Sequence, residues 1–165
     1  MSDGPSLVAL IPRLRRYARA LVGDRAAADD LVQDTLERAW AKLHLFRGGT
    51  DLRAWLFTVM HNVHVNQVRA ARPTEQLEDE MPELAQRATQ GDALVVRDLE
   101  RALAALPAAQ REVLLLVALE DLSYEEAAQV LGIPIGTVMS RLARAREKLR
   151  VLMTGKGGTK LQVVK

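Results

Sequence analysis

The chain has 165 residues, a formal net charge of +2 and no cysteine. That length holds one ordinary domain or two small ones, and the missing thiols exclude disulfides, cysteine-ligated zinc and thiol nucleophiles, in keeping with a reducing cytoplasm. Aromatic residues make up 4%, strand signals are weak, and Ala, Leu, Arg and Glu dominate, so the expected fold class is all-α. No run is apolar for long enough to span a membrane, and the N-terminus lacks the apolar core of a signal peptide.

The charge is unevenly spread. Residues 1–73 carry 11 basic and 7 acidic side chains, residues 74–100 carry 2 and 8, and residues 123–165 carry 8 and 3. Two basic blocks around an acidic stretch suggest two modules that face nucleic acid, joined by a linker.

The first two helices are expected at 6–22 and 25–44, broken at Gly23-Asp24. Asp29, Asp30 and Asp34 lie close together on the second, as ordinary acidic surface and without the spacing of a calcium loop. The stretch "FRGGTD", Phe46 to Asp51, reads as a loop whose Thr50 or Asp51 caps the next helix. That helix, 51–70, takes its core from Leu52, Trp55, Leu56, Val59, Val63 and Val65. Asn62 and Asn66 are four apart on an exposed face, with Arg53 and Arg69 beside them. Asparagine both donates and accepts, so such a pair suits base edges, and Phe46 in the loop before it suits an unstacked base. The same residues also fit a plain polar helix surface.

Residues 72–92 contain two prolines, dense acid and weak periodicity, and read as an interdomain linker with at most a transient helical turn. Helices follow at 93–106, 109–119, 123–131 and 135–153. Ser123 with Glu126 three residues on is a capping box. Gly132 suits the left-handed residue that ends a helix, and Pro134 suits the approach to a new one. The last helix has an apolar stripe at Ile135, Val138, Leu142, Ala145, Leu149 and Leu152. Gly136, Ser140, Ala143, Arg144 and Glu147 lie opposite, while Arg141 and Lys148 on one shoulder and Met139 and Arg146 on the other flank them. Helix, glycine turn and helix make a helix-turn-helix outline, whose second helix reads the major groove from its N-terminal residues. The tail 154–165 is Gly- and Lys-rich and expected to be disordered.

No catalytic constellation stands out. His61 and His64 are three apart on one helix, but no carboxylate or thiol completes a metal site in the sequence around them. There is no nucleophile elbow and no phosphate loop. No enzyme activity, cofactor, metal or small-molecule substrate is expected.

Two long segments resemble the RNA polymerase sigma factors of the extracytoplasmic-function class, in the sigma-70 family. Ala26 to Arg69 resembles region 2 and Ala102 to Arg150 resembles region 4, in the family's order and spacing. The resemblance implies a region 2 domain at 1–71 and a region 4 domain at 93–153. It implies that Asp30, Gln33, Asp34, Glu37 and Arg38 dock on the polymerase clamp helices. It implies that Phe46, His61, Asn62 and Asn66 capture bases of the minus-10 element, along with the rest of the loop to Thr50. It further implies that Thr137, Ser140, Arg141, Ala143, Arg144 and Arg146 read minus-35 DNA. Met139 stands where many relatives carry a basic residue, and Ala143 where some carry a bulky one. The partners implied are core RNA polymerase, promoter DNA and an anti-sigma factor, for a stress or envelope regulon, with no insertion into a membrane. Two other readings use the same residues: a helix-turn-helix regulator that acts without joining polymerase, and a sigma mimic that binds an anti-sigma factor.

Overall fold

The computed structural model describes residues 7–46, 51–75 and 91–156, and every long element among them is helical. The helices are α1 (Ile11–Val22), α2 (Arg25–Ala41), α3 (Leu52–Glu75), α4 (Gly91–Ala105), α5 (Ala108–Leu114), α6 (Tyr124–Leu131) and α7 (Ile135–Lys156). A 3-10 turn, Leu43–Leu45, follows α2, and a π-helical turn, Leu115–Leu119, continues α5. Residues 1–6, the expected loop residues 47–50, most of the expected linker (76–90) and the end of the expected tail (157–165) lie outside the described residues.

Local chemistry sets the helix ends. Gly23 at φ 79° closes α1. Asp24 then caps α2, its Oδ2 accepting the Ala27 N–H at 2.9 Å, which satisfies one of the free donors at a helix start. Asp51 accepts the Arg53 N–H at 3.0 Å at the start of α3. The capping box of α6 is complete: Ser123 Oγ accepts the Glu126 N–H at 3.0 Å, and the Glu126 carboxylate accepts the Ser123 N–H at 2.8 Å. Gly132 ends α6 at φ 67°, ψ 37°. A Cβ built there meets nothing within 4 Å, so only the left-handed backbone disfavours a side chain. Gly132→Ala is therefore expected to cost about 1 kcal/mol. Urea unfolding checks this, and an unchanged midpoint would mean that the turn relaxes to another conformation.

The apolar stripe of α7 turns inward as its spacing predicts. Val138, Leu142 and Ala145 are buried, and Leu149 and Leu152 pack against them. Ile135, the first member, is 41% exposed, because the helix begins beyond the edge of the core. The expected helix 109–119 becomes α5 plus a π turn, in which Glu120 N–H reaches back five residues to Leu115 O at 3.0 Å.

Helices α1, α2 and α3 pack together, and α4 to α7 form a second group around α7. The two groups then pack on each other: α1 against α4 and the π turn, α3 against α6. Their cores merge into one cluster, from Leu14, Leu31, Leu56, Phe57 and Met60 to Val113, Leu116, Val138 and Leu142. Tyr17 and Phe57 meet edge to face near the junction, with ring centroids 5.0 Å apart. Arg111 ties the groups by donating to Leu21 O of α1 at 3.1 Å, and to Leu103, Ala104 and Leu106 carbonyls at 2.7 to 3.1 Å. It thus satisfies orphan carbonyls at two helix C-termini at once.

Candidate nucleic-acid and protein interface

Helix α7 presents one face to the core and the other to solvent. Ser140, Ala143, Arg144 and Arg146 are exposed, while Thr137 and Arg141 are half-buried on the flanks. Arg144 lies one turn beyond Ser140. Among the described residues no carboxylate lies within ion-pair distance of Arg141, Arg144 or Arg146. Glu147 pairs instead with Arg150, Nη2 to Oε2 at 2.7 Å. Gly136, near the helix start, leaves open space where a Cβ would be. The start of α7 is thus small and hydroxylic, and its middle carries unpaired guanidinium groups that can bond phosphates or guanine edges.

Helix α3 divides its polar residues between two faces. Asn62 and Asn66 are exposed. His61 lies about 100° away, on the side of α3 that meets the second helical group. Its Nδ1 lies 2.6 Å from Glu112 Oε2, and both side chains are mostly buried. Phe46 stacks at a tilt against Trp55, centroids 5.4 Å apart, so Trp55 joins the core edge while supporting the loop residue. Of the four residues expected to capture bases, the structure brings Asn62 and Asn66 together on open surface. Phe46 lies beside the same helix, and His61 is engaged with the other helical group. Burial holds the His64 imidazole below its ordinary pKa, against the opposing pull of Glu112.

Helix α2 exposes Asp30, Gln33, Asp34, Glu37 and Arg38 along one stripe. Gln67 of α3 donates to Asp34 Oδ2 at 2.7 Å. Asp34, Glu37, Arg38, Val63, Asn66, Gln67 and Ala70 line one groove between α2 and α3. The stripe expected to dock on polymerase and the asparagine face expected to hold bases therefore share an edge. Sequence spacing did not reveal this, because it depends on how α2 and α3 cross.

Sequence reasoning also missed an apolar patch at the other side of Glu37, formed by Leu7, Val8, Ile11, Leu36 and Trp40. Trp40 and Val8 are each 60% exposed. The signal available was Trp40 at the end of an otherwise polar helix face. Among the described residues, no group of His, Asp and Glu is placed to hold a metal ion, and no helix is long and apolar enough to cross a membrane.

Comparison with known proteins places the two helical groups in known families. A family model described as the sigma2 domain of PhyR covers residues 7–61, and one described as sigma-70, region 4 covers residues 97–149. The chain is 40% identical over 151 residues to the ECF RNA polymerase sigma factor EcfG of Rhodopseudomonas palustris, covering 89% of this chain and 82% of the relative. Among solved structures it resembles the sigma factor RpoE of Bartonella quintana, solved in complex with the anti-sigma factor NepR. There the TM-score is 0.82 and the identity 38%, over 93% of this chain and 98% of the other. It also resembles a chain in the PhyRSL–NepR complex of Sphingomonas sp. Fr1, with a TM-score of 0.66 and 28% identity over 93% of this chain and 90% of the other.

Proposed function

The chain belongs to the ECF RNA polymerase sigma factors, and from that premise we propose that it joins core RNA polymerase and directs it to promoters through two DNA-facing helices. The observation that carries this reading is the basic face of α7, on which Arg141, Arg144 and Arg146 pair with no described carboxylate, in a capped helix-turn-helix. The same chain exposes the α2 stripe and the α3 asparagines. Asp30, Gln33, Asp34, Glu37 and Arg38 are the polymerase contact. Asn62, Asn66 and Phe46 hold unstacked minus-10 bases, and His61 joins them once released from Glu112. Thr137, Ser140, Arg141, Ala143, Arg144 and Arg146 contact minus-35 DNA. No chemistry of its own is required: melting costs a few kcal/mol per unstacked base, and base capture together with polymerase contacts offsets it.

Two relatives in structure are complexed with the anti-sigma factor NepR, which supports control of this chain by an anti-sigma factor; activity in the cytoplasm on a stress or envelope regulon belongs to the same proposal. The sigma2 model that matches residues 7–61 is named for PhyR, so a sigma mimic that only binds an anti-sigma factor is the second reading. Identity favours the first, at 40% to EcfG against 28% to the PhyRSL chain. A pull-down with core polymerase followed by run-off transcription tests both. Retention on core enzyme with a defined transcript is expected. Retention only by an anti-sigma factor, with no transcript, would favour the mimic; promoter binding with no retention on core would favour an independent regulator.

A further inference from the structure

Glu120 lies at the junction of the two helical groups and has no exposed surface. It follows the π turn, and the next residue, Asp121, holds a left-handed φ of 58°. Both are backbone features that cost free energy and persist where surrounding structure imposes them. Here they bring Glu120 into the interface while Asp121 stays at the surface. The carboxylate meets two guanidinium groups of α1, 104 or more residues away in sequence. Arg16 Nη2 lies 3.2 Å from its Oε2 and 3.3 Å from its Oε1, and Arg13 Nε lies 3.3 Å from its Oε1. Arg53 of α3 donates to the Glu120 carbonyl at 3.3 Å and lies 3.7 Å from Glu126. The arginine side chains stay in contact with water, at 33% exposed for Arg13 and 51% for Arg16.

This asymmetry sets the energetics. Closing the groups strips water from the carboxylate but only partly from the arginines. Burying a charge costs more than one partner returns unless the pairing is complete. Burial pushes the Glu120 carboxyl above its ordinary pKa in spite of Arg16, Arg13 and Arg53, so its ionised form is held in the junction at a net cost.

Closure also has a functional consequence. Positions −35 and −10 are about 25 base pairs apart, roughly 85 Å at 34–36 Å per helical turn. A compact chain of this length is only about 40 Å across. The packed arrangement cannot touch both elements, and it keeps His61 on Glu112.

We propose that the junction is a charge-gated closure: buried Glu120 is tolerated only while Arg13 and Arg16 sit on it, so a polyanion that draws those arginines away opens the chain. The release step rests on the nucleic-acid reading above, whereas the gate itself does not. Phosphates of a duplex are the polyanion in question, since Arg13 and Arg16 retain open surface through which a phosphate can approach.

The chain has no native cysteine, so dyes on Cys at exposed Ala26 and Val151 report opening by energy transfer within the full-length protein. Arg13→Ala with Arg16→Ala strands the carboxylate, and the open fraction is expected to rise on the order of tenfold or more, with helical circular dichroism retained. Glu120→Gln removes the stranded charge and is expected to stay as closed as wild type. A random-sequence duplex at low salt should lower transfer in wild type and lower it less in Glu120→Gln. Wild-type transfer in the double arginine variant, or opening by Glu120→Gln to the same extent, would overturn the gate. An open arginine variant with a wild type indifferent to duplex would overturn release by phosphates. Failure of the nucleic-acid reading would show separately, in the run-off assay.

Discussion

Core RNA polymerase is expected to raise the affinity of this chain for its promoter by about 10²- to 10⁴-fold over the free protein. Each DNA-facing helix alone is a small module with few contacts. In the packed chain α3 is drawn against α6, the first helix of the helix-turn-helix, so the α3 and α7 faces are held on one small body. Polymerase that grips the α2 stripe and holds the opened groups at promoter spacing would convert the second DNA contact into an intramolecular one. That gain is effective concentration and requires no new bond. Gel shifts with and without core enzyme on one promoter fragment measure it. Tight, specific binding by the chain alone would mean that the two groups part freely in solution and that polymerase is not the organiser.

What could be read in the sequence was what is local. The capping box at Ser123 and Glu126, the turn at Gly132, and the break at Gly23 and Asp24 each involve residues within about one turn of one another. The backbone then has few alternatives, and all three appear where the spacing put them. The stripe of α7 was legible because a period of 3.6 needs no partner to be recognised. Glu120 was not legible. It follows a leucine-rich run and precedes an aspartate, which reads as the polar end of a helix. Its burial depends on Arg13 and Arg16 of α1, and no pattern in either segment announces the other. The His61–Glu112 contact spans 51 residues and was hidden for the same reason. Two small modules with separate cores were the natural reading of the charge blocks. The merged core arises because α1 and α3 offer apolar flanks to the π turn and α6, which only tertiary packing reveals. The continuation of α3 to Glu75, past Pro73, also ran against the usual expectation that helices end before proline.

The two arginines of α7 are expected to fail in different ways when removed. Arg144 is exposed one turn beyond Ser140 on the outward face, where a guanidinium can bond both acceptors of a guanine. A good bidentate pair contributes about 1–3 kcal/mol of discrimination, about fivefold to 150-fold. Arg144→Ala should therefore lose that ratio at one or two minus-35 positions while binding to mismatched sequences changes little. Arg146 is also exposed but sits about 120° from Ser140 around the helix, on the shoulder expected to meet the phosphates that flank the groove. Its loss should weaken every sequence alike and reduce the slope of log affinity against log salt by about 0.9 for one phosphate contact. Neither side chain pairs with a described carboxylate, so neither substitution strands a charge, and unfolding midpoints should hold. Footprinting with polymerase on a set of minus-35 variants at two salt concentrations separates the two outcomes. A uniform loss for Arg144→Ala, with base preference intact, would mean that the outward face of α7 grips the DNA backbone and leaves sequence to be read through the shape and stiffness of the duplex.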